Sequence, residues 1–296
     1  VLPEGLTLEG GREACRGLRG QMLRKEVYAQ DGTDQAKHPY TVTEANYTIR
    51  VVQPMRDERH GVFFTHARES LAYHYERNPA DPRIAHQIAL EVDEFGTVLK
   101  ALAVAYPRRQ PKYPQQRKIM ATLSETIVIH EPGKDSWYRL GLPWESRTYE
   151  VTGLTPELLE TLIDGTETLS NQLAQATTLN YEDKPNNGLE KRLIEQMRMR
   201  YRSNATAGEL NPAALDWGKI ESLALPYESY ELAFTPGLLQ QVYGGQGRDA
   251  SAGPLPGLLQ AADLDSLLTK EGRYVKADGL WWMPSGRQAL DAKHFY

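Results

Sequence analysis

The chain has 296 residues, of which 40% are hydrophobic, 25% charged and 9% aromatic. That composition is ordinary for a folded protein, and the length suffices for one large or two modest domains, because single cores stop growing at roughly 250–300 residues. The 34 Lys and Arg residues stand against 39 Asp and Glu, for a net charge of -5. The sequence therefore lacks the positive field that a nucleic-acid backbone requires, and no nucleic-acid partner is expected.

Cysteine content, hydropathy and the two ends set further limits. Cys15 is the only cysteine, so no intramolecular disulfide can form, and we interpret it as a small buried residue rather than a catalytic thiol. No run of about 18 apolar residues occurs, so no membrane span is expected. The chain begins at Val1 without a signal-peptide pattern and ends in Phe295-Tyr296. We expect both ends to be cuts through a longer polypeptide.

Alternating apolar and polar residues in the first half predict β-strands. Every second residue is apolar in two neighbouring stretches, first Ile88, Leu90 and Val92 and then Leu102, Val104 and Tyr106. Gly96 lies between them and can adopt the positive φ of a tight turn. Residues 88–93 and 97–106 are therefore predicted to form an antiparallel hairpin.

An earlier copy of this hairpin is predicted in residues 22–28 and 40–53, with Asp31-Gly32 at the turn. The two copies share Glu-Val before the turn and Gly-Thr at it, which indicates an internal repeat. Residues 108–117 form a polar, proline-broken connector after the second copy.

The composition changes near the middle of the chain. Residues 120–130, 137–142 and 147–151 are apolar and β-branched enough to continue the sheet. We therefore divide the chain into a β-rich segment, residues 1–150, and a mixed segment with short helices, loops and strands, residues 151–296.

Three short helices are predicted in the mixed segment. Thr155-Pro156 and Thr235-Pro236 are suitable helix starts, and the second helix should close at Gly244-Gly245. Residues 258–269 form the third candidate, whereas residues 164–188 are polar and are predicted to be a loop.

Two stretches of this segment are harder to assign. The spacing of Leu189, Leu193, Met197 and Tyr201 is four residues, which by itself indicates a helix across 189–201. The tail, residues 279–296, is predicted to form strands joined by a turn at Pro284-Ser285-Gly286.

Three histidines are the first candidates for chemistry. His60, His66 and His74 are six and eight residues apart in the sequence. Strand residues that are two positions apart already lie about 6–7 Å from each other, so these three side chains cannot converge on one metal ion along a straight strand. We interpret them as partly solvated residues of the sheet.

Other motifs are equally weak. His130-Glu131 begins like a zinc-protease helix, but the Pro-Gly that follows would break that helix. Trp281 and Trp282 could stack on a sugar, although adjacent tryptophans more often place one ring in the core and one at an edge. No set of nucleophile, base and orienting residue is evident. We predict no catalytic, cofactor-binding or metal-ligating residues, and a protein that is not an enzyme.

Several strings along the chain, from about residue 10 to residue 290, run in the order of one known family. The strings are Gly11-Arg12-Glu13-Ala14-Cys15-Arg16, Gly20-Gln21-Met22-Leu23-Arg24, His38-Pro39-Tyr40-Thr41-Val42-Thr43-Glu44, Tyr75-Glu76-Arg77-Asn78-Pro79-Ala80-Asp81-Pro82-Arg83, Leu223-Ala224-Leu225-Pro226-Tyr227-Glu228-Ser229-Tyr230, Phe234-Thr235-Pro236-Gly237-Leu238 and Trp281-Trp282-Met283-Pro284-Ser285-Gly286-Arg287. Together they resemble the middle/C-terminal region of the B subunit of bacterial insecticidal toxin complexes (Tc toxins).

The resemblance implies a mainly β fold, an open curved antiparallel sheet of Rhs/YD-type hairpins with a few short helices. It implies a secreted, non-enzymatic segment of a hollow shell that encloses the cytotoxic part of the C subunit. The C subunit would be the direct partner, and the pore-forming A subunit would bind through other parts of the B subunit. The family favours a strand for residues 189–201, which we adopt.

Two alternatives stay open. One is a carbohydrate-binding or carbohydrate-active β-rich protein that uses Trp281 and Trp282. The other is a cell-surface repeat protein with a YD-type wall and no toxin.

Overall fold

The computed structural model describes residues 2–55, 60–160, 166–186, 188–204, 210–243 and 261–291. Antiparallel strands dominate these residues and the helices are few and short, so the predicted mainly β fold is confirmed. The chain forms two compact units, one of residues 1–123 with 151–175 and the other of residues 124–150 with 176–296. The domain division after residue 150 stays a prediction.

The bounds of the elements follow the chain order. The strands among the described residues are β1 Arg24–Val27, β2 Thr41–Gln53, β3 Val62–His74, β4 Arg83–Val92, β5 Val98–Ala105, β6 Met120–Glu131, β7 Arg139–Thr152, β8 Thr177–Leu179, β9 Glu190–Tyr201, β10 Pro226–Phe234, β11 Val275–Ala277 and β12 Leu280–Arg287. The helices are α1 Leu8–Arg16, α2 Pro156–Glu160, α3 Thr166–Gln175, α4 Pro236–Tyr243 and α5 Ala261–Ser266, which continues as a π-helical turn at Leu267–Glu271. Short 3-10 turns lie at Asp34–Lys37 and Pro114–Arg117.

The sheet of the first unit is a meander in which each strand pairs with the next one along the chain. Strands β1 to β5 lie in that order, all antiparallel, and β1 is its edge strand. The earlier hairpin predicted at 22–28 and 40–53 is therefore present as β1 and β2. Because every connection is local, such a sheet grows by adding hairpins, with no crossover.

The predicted hairpin at Gly96 is confirmed as β4 and β5. Gly96 has φ of +94°, and a Cβ built there would lie 2.8 Å from Cζ of Phe64. The Asp93 carboxylate accepts hydrogen bonds from the backbone N–H of Phe95 at 2.9 Å and of Thr97 at 2.8 Å. Both the positive φ and the close ring leave room only for glycine.

The core of the first unit lies on one face of this meander. Ile88 and Leu102 are direct cross-strand partners, 1% and 0% exposed. Helix α3 contacts β4 and buries Leu169 and Leu173. The prediction of a loop throughout 164–188 is therefore wrong, because two leucines four residues apart make an apolar helical stripe that the polar composition obscured.

The second unit contains a further set of antiparallel strands. Strand β9 pairs with β10, β10 with β12 and β12 with β11, while β8 runs parallel to β9. The strand adopted for residues 189–201 is confirmed. The two strands predicted at 137–142 and 147–151 form the single strand β7.

The tail differs from its prediction. The turn lies at Asp278-Gly279, with φ of +53° and +75°, and β12 runs straight through Pro284-Ser285-Gly286. Ser229 pairs with Gly286 and the next residue, Tyr230, with Pro284, so Ser285 is an extra residue in the strand. A bulge of this kind accommodates a proline, which has no N–H to donate to its neighbour.

Several expectations fall on residues that the structure does not describe. These are the helix end at Gly244-Gly245, the start of the third helix before Ala261, and the aromatic end at Phe295-Tyr296. Among the described residues, no helix is long and apolar enough to cross a membrane.

Candidate functional site

The three histidines that suggested a metal site lie in different surroundings. His60 contacts the carboxylate of Glu13 at 3.4 Å, and His66 bonds the carbonyl of Ala67 at 3.0 Å through Nδ1. His66 is half-buried and His74 exposed, both on β3, so the interpretation as partly solvated sheet residues is confirmed for these two. Within the described ranges, no three His, Cys, Asp or Glu side chains are grouped so that they could hold a metal ion.

The remaining sequence candidates are also placed by the structure. His130 and Glu131 end strand β6 and therefore do not lie on a helix. Cys15 is exposed on α1, so the expectation of a buried cysteine is wrong. Ala14, which is 0% exposed, lies on the buried side of that short helix. Cys15 is the next residue and therefore points in another direction, towards solvent.

Both adjacent tryptophans are buried, at 3% for Trp281 and 0% for Trp282. The expectation that one ring would lie at an edge is therefore wrong. Successive strand residues point to opposite faces, so each ring needs its own cover. Trp217 and Arg198 cover Trp282, and the Lys276 ammonium lies 5.0 Å from the Trp281 ring centre. Neither ring offers a free face to a sugar.

A buried ionic cluster in the second unit surrounds Glu145, whose side chain is 0% exposed. Its carboxylate accepts hydrogen bonds from Gln196 Nε2 at 2.6 Å and from Arg198 Nε at 2.8 Å, and Arg147 donates a further bond. Arg198 also pairs with Asp278 at 2.6 Å. Alternation of side chains puts Gln196 and Arg198 on the same face of β9, where the carboxylate meets both.

Three indole rings enclose the same guanidinium. The Arg198 Cζ lies 4.4 Å from the Trp282 ring centre and 5.8 Å from those of Trp144 and Trp217. Rings at these distances attract a cation through their negative faces. We call Glu145, Arg147, Gln196, Arg198 and these three tryptophans the arginine cluster. It ties β7, β9 and β12 together.

The charges of the cluster perturb Arg147. Burial would lower the pKa of Arg147, but the charge of Glu145 and its hydrogen bond raise it. Beside the cluster, burial raises the pKa of Tyr201 to about 12, and the Tyr201 hydroxyl donates to the carbonyl of Pro143 at 2.7 Å. Because both pKa values are raised, Arg147 and Tyr201 stay protonated near neutral pH.

A second polar cluster lies in the first unit. His86, 3% exposed, is 3.2 Å from the Tyr106 hydroxyl through Nδ1 and 3.3 Å from the Glu69 carboxylate through Nε2. Burial would raise the pKa of Glu69, but the hydrogen bond from His86 and the charge of Arg68 lower it. The order of groups is that of a nucleophile, a base and an orienting acid. The imidazole, however, is enclosed by the sheet, so no substrate can reach it without rearrangement.

Two Asp–Arg pairs clamp the loops at one end of this sheet. Arg77, in the β3–β4 loop, donates to Asp31 in the β1–β2 loop at 2.6 Å. Asp81, in the same β3–β4 loop, accepts from Arg108 in the β5–β6 loop, also at 2.6 Å. Consecutive hairpins are thus connected by ion pairs as well as by the sheet.

These clusters escape prediction from the sequence, because their main partners lie far apart along the chain. Glu145 and Arg198 are 53 residues apart, and Asp31 and Arg77 are 46 apart. Two signals in the sequence could have pointed to them. One is a charged residue, such as Arg198, at a strand position whose side chain faces inward, and the other is the Asp-Gly turn that contains Asp31.

Comparison with solved structures defines the class of the fold. The chain matches a crystal structure of TcdB2–TccC3 without its hypervariable C-terminal region with a TM-score of 0.67 and 25% identity, and a Photorhabdus luminescens Tc holotoxin pore with a TM-score of 0.67 and 26% identity. The matches cover 99% and 97% of this chain, but 13% of each of the other chains. A further TcdB2–TccC3 crystal structure matches with a TM-score of 0.66. The fold of the described residues therefore matches one part of the Tc toxin shell fold.

The sequence comparison agrees. Residues 13–142 match the family model described as the insecticide toxin TcdB middle/C-terminal region. The resemblance to this part of Tc toxin B subunits is therefore confirmed, with the family match lying in residues 13–142. No curated protein matches the sequence at a significant level.

Proposed function

We propose that this chain is a wall segment of a Tc toxin B subunit, and that it helps to enclose the cytotoxic part of a C subunit for delivery. The observation that carries the proposal is the match of 99% of the chain to a chain of a TcdB2–TccC3 structure, with a TM-score of 0.67. The full B subunit would be secreted, would bind the C subunit directly, and would dock on the pore-forming A subunit through other regions.

The physical features of the chain support a structural role. The meander of β1 to β5 extends by local pairing, as a curved wall requires, and its edge strand leaves backbone groups available to a further strand. Glu145 and Arg198, both buried in the second unit, form an ion pair with each other, which suits them to fixing geometry. We propose that the protein is not an enzyme.

The test is co-expression of the full-length B subunit containing this chain with a C subunit of the TccC3 type. We expect the two to elute together in size-exclusion chromatography, with the C-terminal part of the C subunit resistant to added protease. The double substitution Glu145→Ala, Arg198→Ala should open the wall and make that part cleavable.

An exposed arginine provides the matched control. Arg12→Ala on α1 removes the same kind of side chain from the surface and should leave protection unchanged. Separate elution of the two unmodified proteins, or a C subunit that is cleaved equally with and without the B subunit, would contradict the proposal.

A further inference from the structure

The loop between β5 and β6, residues 106–119, is strongly basic although the protein is acidic. It contains five Lys and Arg residues and no Asp or Glu, in a chain with a net charge of -5. We call it the basic loop. Four of its cations are exposed, namely Arg109, Lys112, Arg117 and Lys118. Tyr113 lies between them in the sequence and is 64% exposed.

No ion pair with another described residue neutralises these four charges. Within the described part of the chain, only the fifth cation of the loop, Arg108, forms an ion pair, with Asp81. Arg109 reaches the Pro79 carbonyl at 3.5 Å, which leaves its charge in place. The basic loop therefore presents about four net positive charges on one short stretch of surface.

Hydrogen bonds to Asp81 and Gln116 fix the conformation of the basic loop. Asp81, 7% exposed, accepts hydrogen bonds from Arg108 Nε at 3.1 Å and from the backbone N–H of Gln110 at 3.1 Å. The Gln116 side chain accepts a hydrogen bond from the backbone N–H of Lys112 at 2.7 Å. The backbone carbonyl of Gln116 accepts another from the backbone N–H of Arg108 at 2.8 Å. Three prolines in the loop further restrict the backbone.

We propose that the basic loop is a docking surface for a short acidic segment of a polypeptide. Its backbone is already held by hydrogen bonds, so binding costs less conformational entropy than ordering a mobile loop would. An exposed tyrosine between arginines is the composition that protein interfaces favour. An extended polyanion, such as duplex nucleic acid or an anionic membrane, would also meet the net negative charge of the protein beyond this loop.

Binding of a fluorescein-labelled polyglutamate peptide, measured by fluorescence anisotropy at low and high salt, tests the proposal. We expect saturable binding that weakens as salt rises, because the charges are exposed. The triple substitution Lys112→Glu, Arg117→Glu, Lys118→Glu should weaken binding by at least about tenfold. The matched control Arg12→Glu, Arg19→Glu, Lys219→Glu changes the net charge equally at exposed positions elsewhere and should have little effect.

The substitution Asp81→Asn separates a shaped surface from charge alone. It removes one negative charge, so simple electrostatics predicts tighter binding, whereas a loop released from its clamp should bind several-fold more weakly. Tighter binding by Asp81→Asn would overturn the proposal, as would equal losses in the triple variant and its control. Duplex DNA or phosphatidylserine vesicles binding as tightly as the peptide would also overturn it. If the triple variant does not fold, Lys118→Gln replaces it, and unchanged affinity contradicts the proposal.

Discussion

The core of the first compact unit is aliphatic around one polar cluster, whereas the core of the second holds aromatic rings around an ion pair. Ile88 and Leu102 typify the first, and Trp282 and Tyr230 the second. An aliphatic core is specified by volume and tolerates hydrophobic substitution, whereas a buried ion pair requires both partners in place. We infer that buried ion pairs fix the geometry of the second unit, whereas aliphatic packing and the turns fix the geometry of the first.

The largest effect is expected in the arginine cluster. Glu145→Ala leaves Arg198 with a single carboxylate partner in a buried site, which should cost about 3–5 kcal/mol of unfolding free energy. Chemical denaturation measures the change. Adding Arg198→Met should recover part of the loss, because the aliphatic side chain fills the space without an unpaired charge. Additive losses in the double variant would mean that the two groups do not depend on each other.

The first unit should lose less from its most buried position. Leu102→Ala removes a side chain that is 0% exposed and should cost about 2–4 kcal/mol, through lost burial and a residual cavity. Leu102→Met, of similar volume, is the control and should cost below about 1.5 kcal/mol. A loss from the methionine variant as large as that from alanine would indicate that shape, not apolar volume, governs this core.

The turn at Gly96 gives a smaller and more local effect. Gly96→Val must hold a β-branched residue at positive φ and displace the Phe64 ring, which should cost about 1–2 kcal/mol or more. Gly133→Val is the control, since no atom lies within 4 Å of a Cβ at that position and its φ is not positive. Equal thermal stability of the two variants would argue against a strict glycine requirement at the hairpin.

The loop clamps should respond to acid only at low pH. Arg77 and the bonds from Thr33 hold the pKa of Asp31 well below its ordinary value. A carboxylate with a lowered folded pKa stabilises the folded state above its unfolded pKa, about 4, and loses that effect as pH falls through the folded pKa. Hydrogen-exchange protection of the Thr33 amide should therefore stay constant from neutral pH down to about pH 4.

Arg77→Gln is the variant that isolates this clamp. It removes the charge next to Asp31, so protection of the Thr33 amide should already be lower at neutral pH, with the largest part of the loss confined to the β1–β2 loop. Protection equal to that of the unmodified protein would show that the loop is ordered without the ion pair.

The sequence predicted the first unit better than the second, and the comparison explains why. Alternation and a single turn glycine were sufficient for β4 and β5, because their inward residues are apolar. In β9 the inward positions include Gln196 and Arg198, so the alternation of polarity disappears. The four-residue spacing of Leu189, Leu193, Met197 and Tyr201 indicates a helix instead. Only the family resemblance favoured a strand there.

The helix starts at Pro156 and Pro236 are confirmed, whereas helices α1 and α3 and the turn of the tail escaped prediction for local reasons. The side chain of Thr7 accepts a hydrogen bond from the N–H of Gly10 and caps α1, but paired glycines within the helix concealed it. Pro284-Ser285-Gly286 is a strong turn sequence, so the prediction places the turn of the tail there. In the structure these residues stay in β12 through a bulge, which depends on pairing with β10 and is not visible in the local sequence. Contacts between distant segments thus decided the outcome where local preferences were weak or misleading.

The most direct test of the wall assignment is an electron cryo-microscopy reconstruction of the full-length B subunit bound to a C subunit. The account predicts a hollow shell, with strands β2 to β5 in its wall and density for the C-terminal part of the C subunit in the cavity. A reconstruction in which these strands form a separate module outside any enclosed cavity would contradict it.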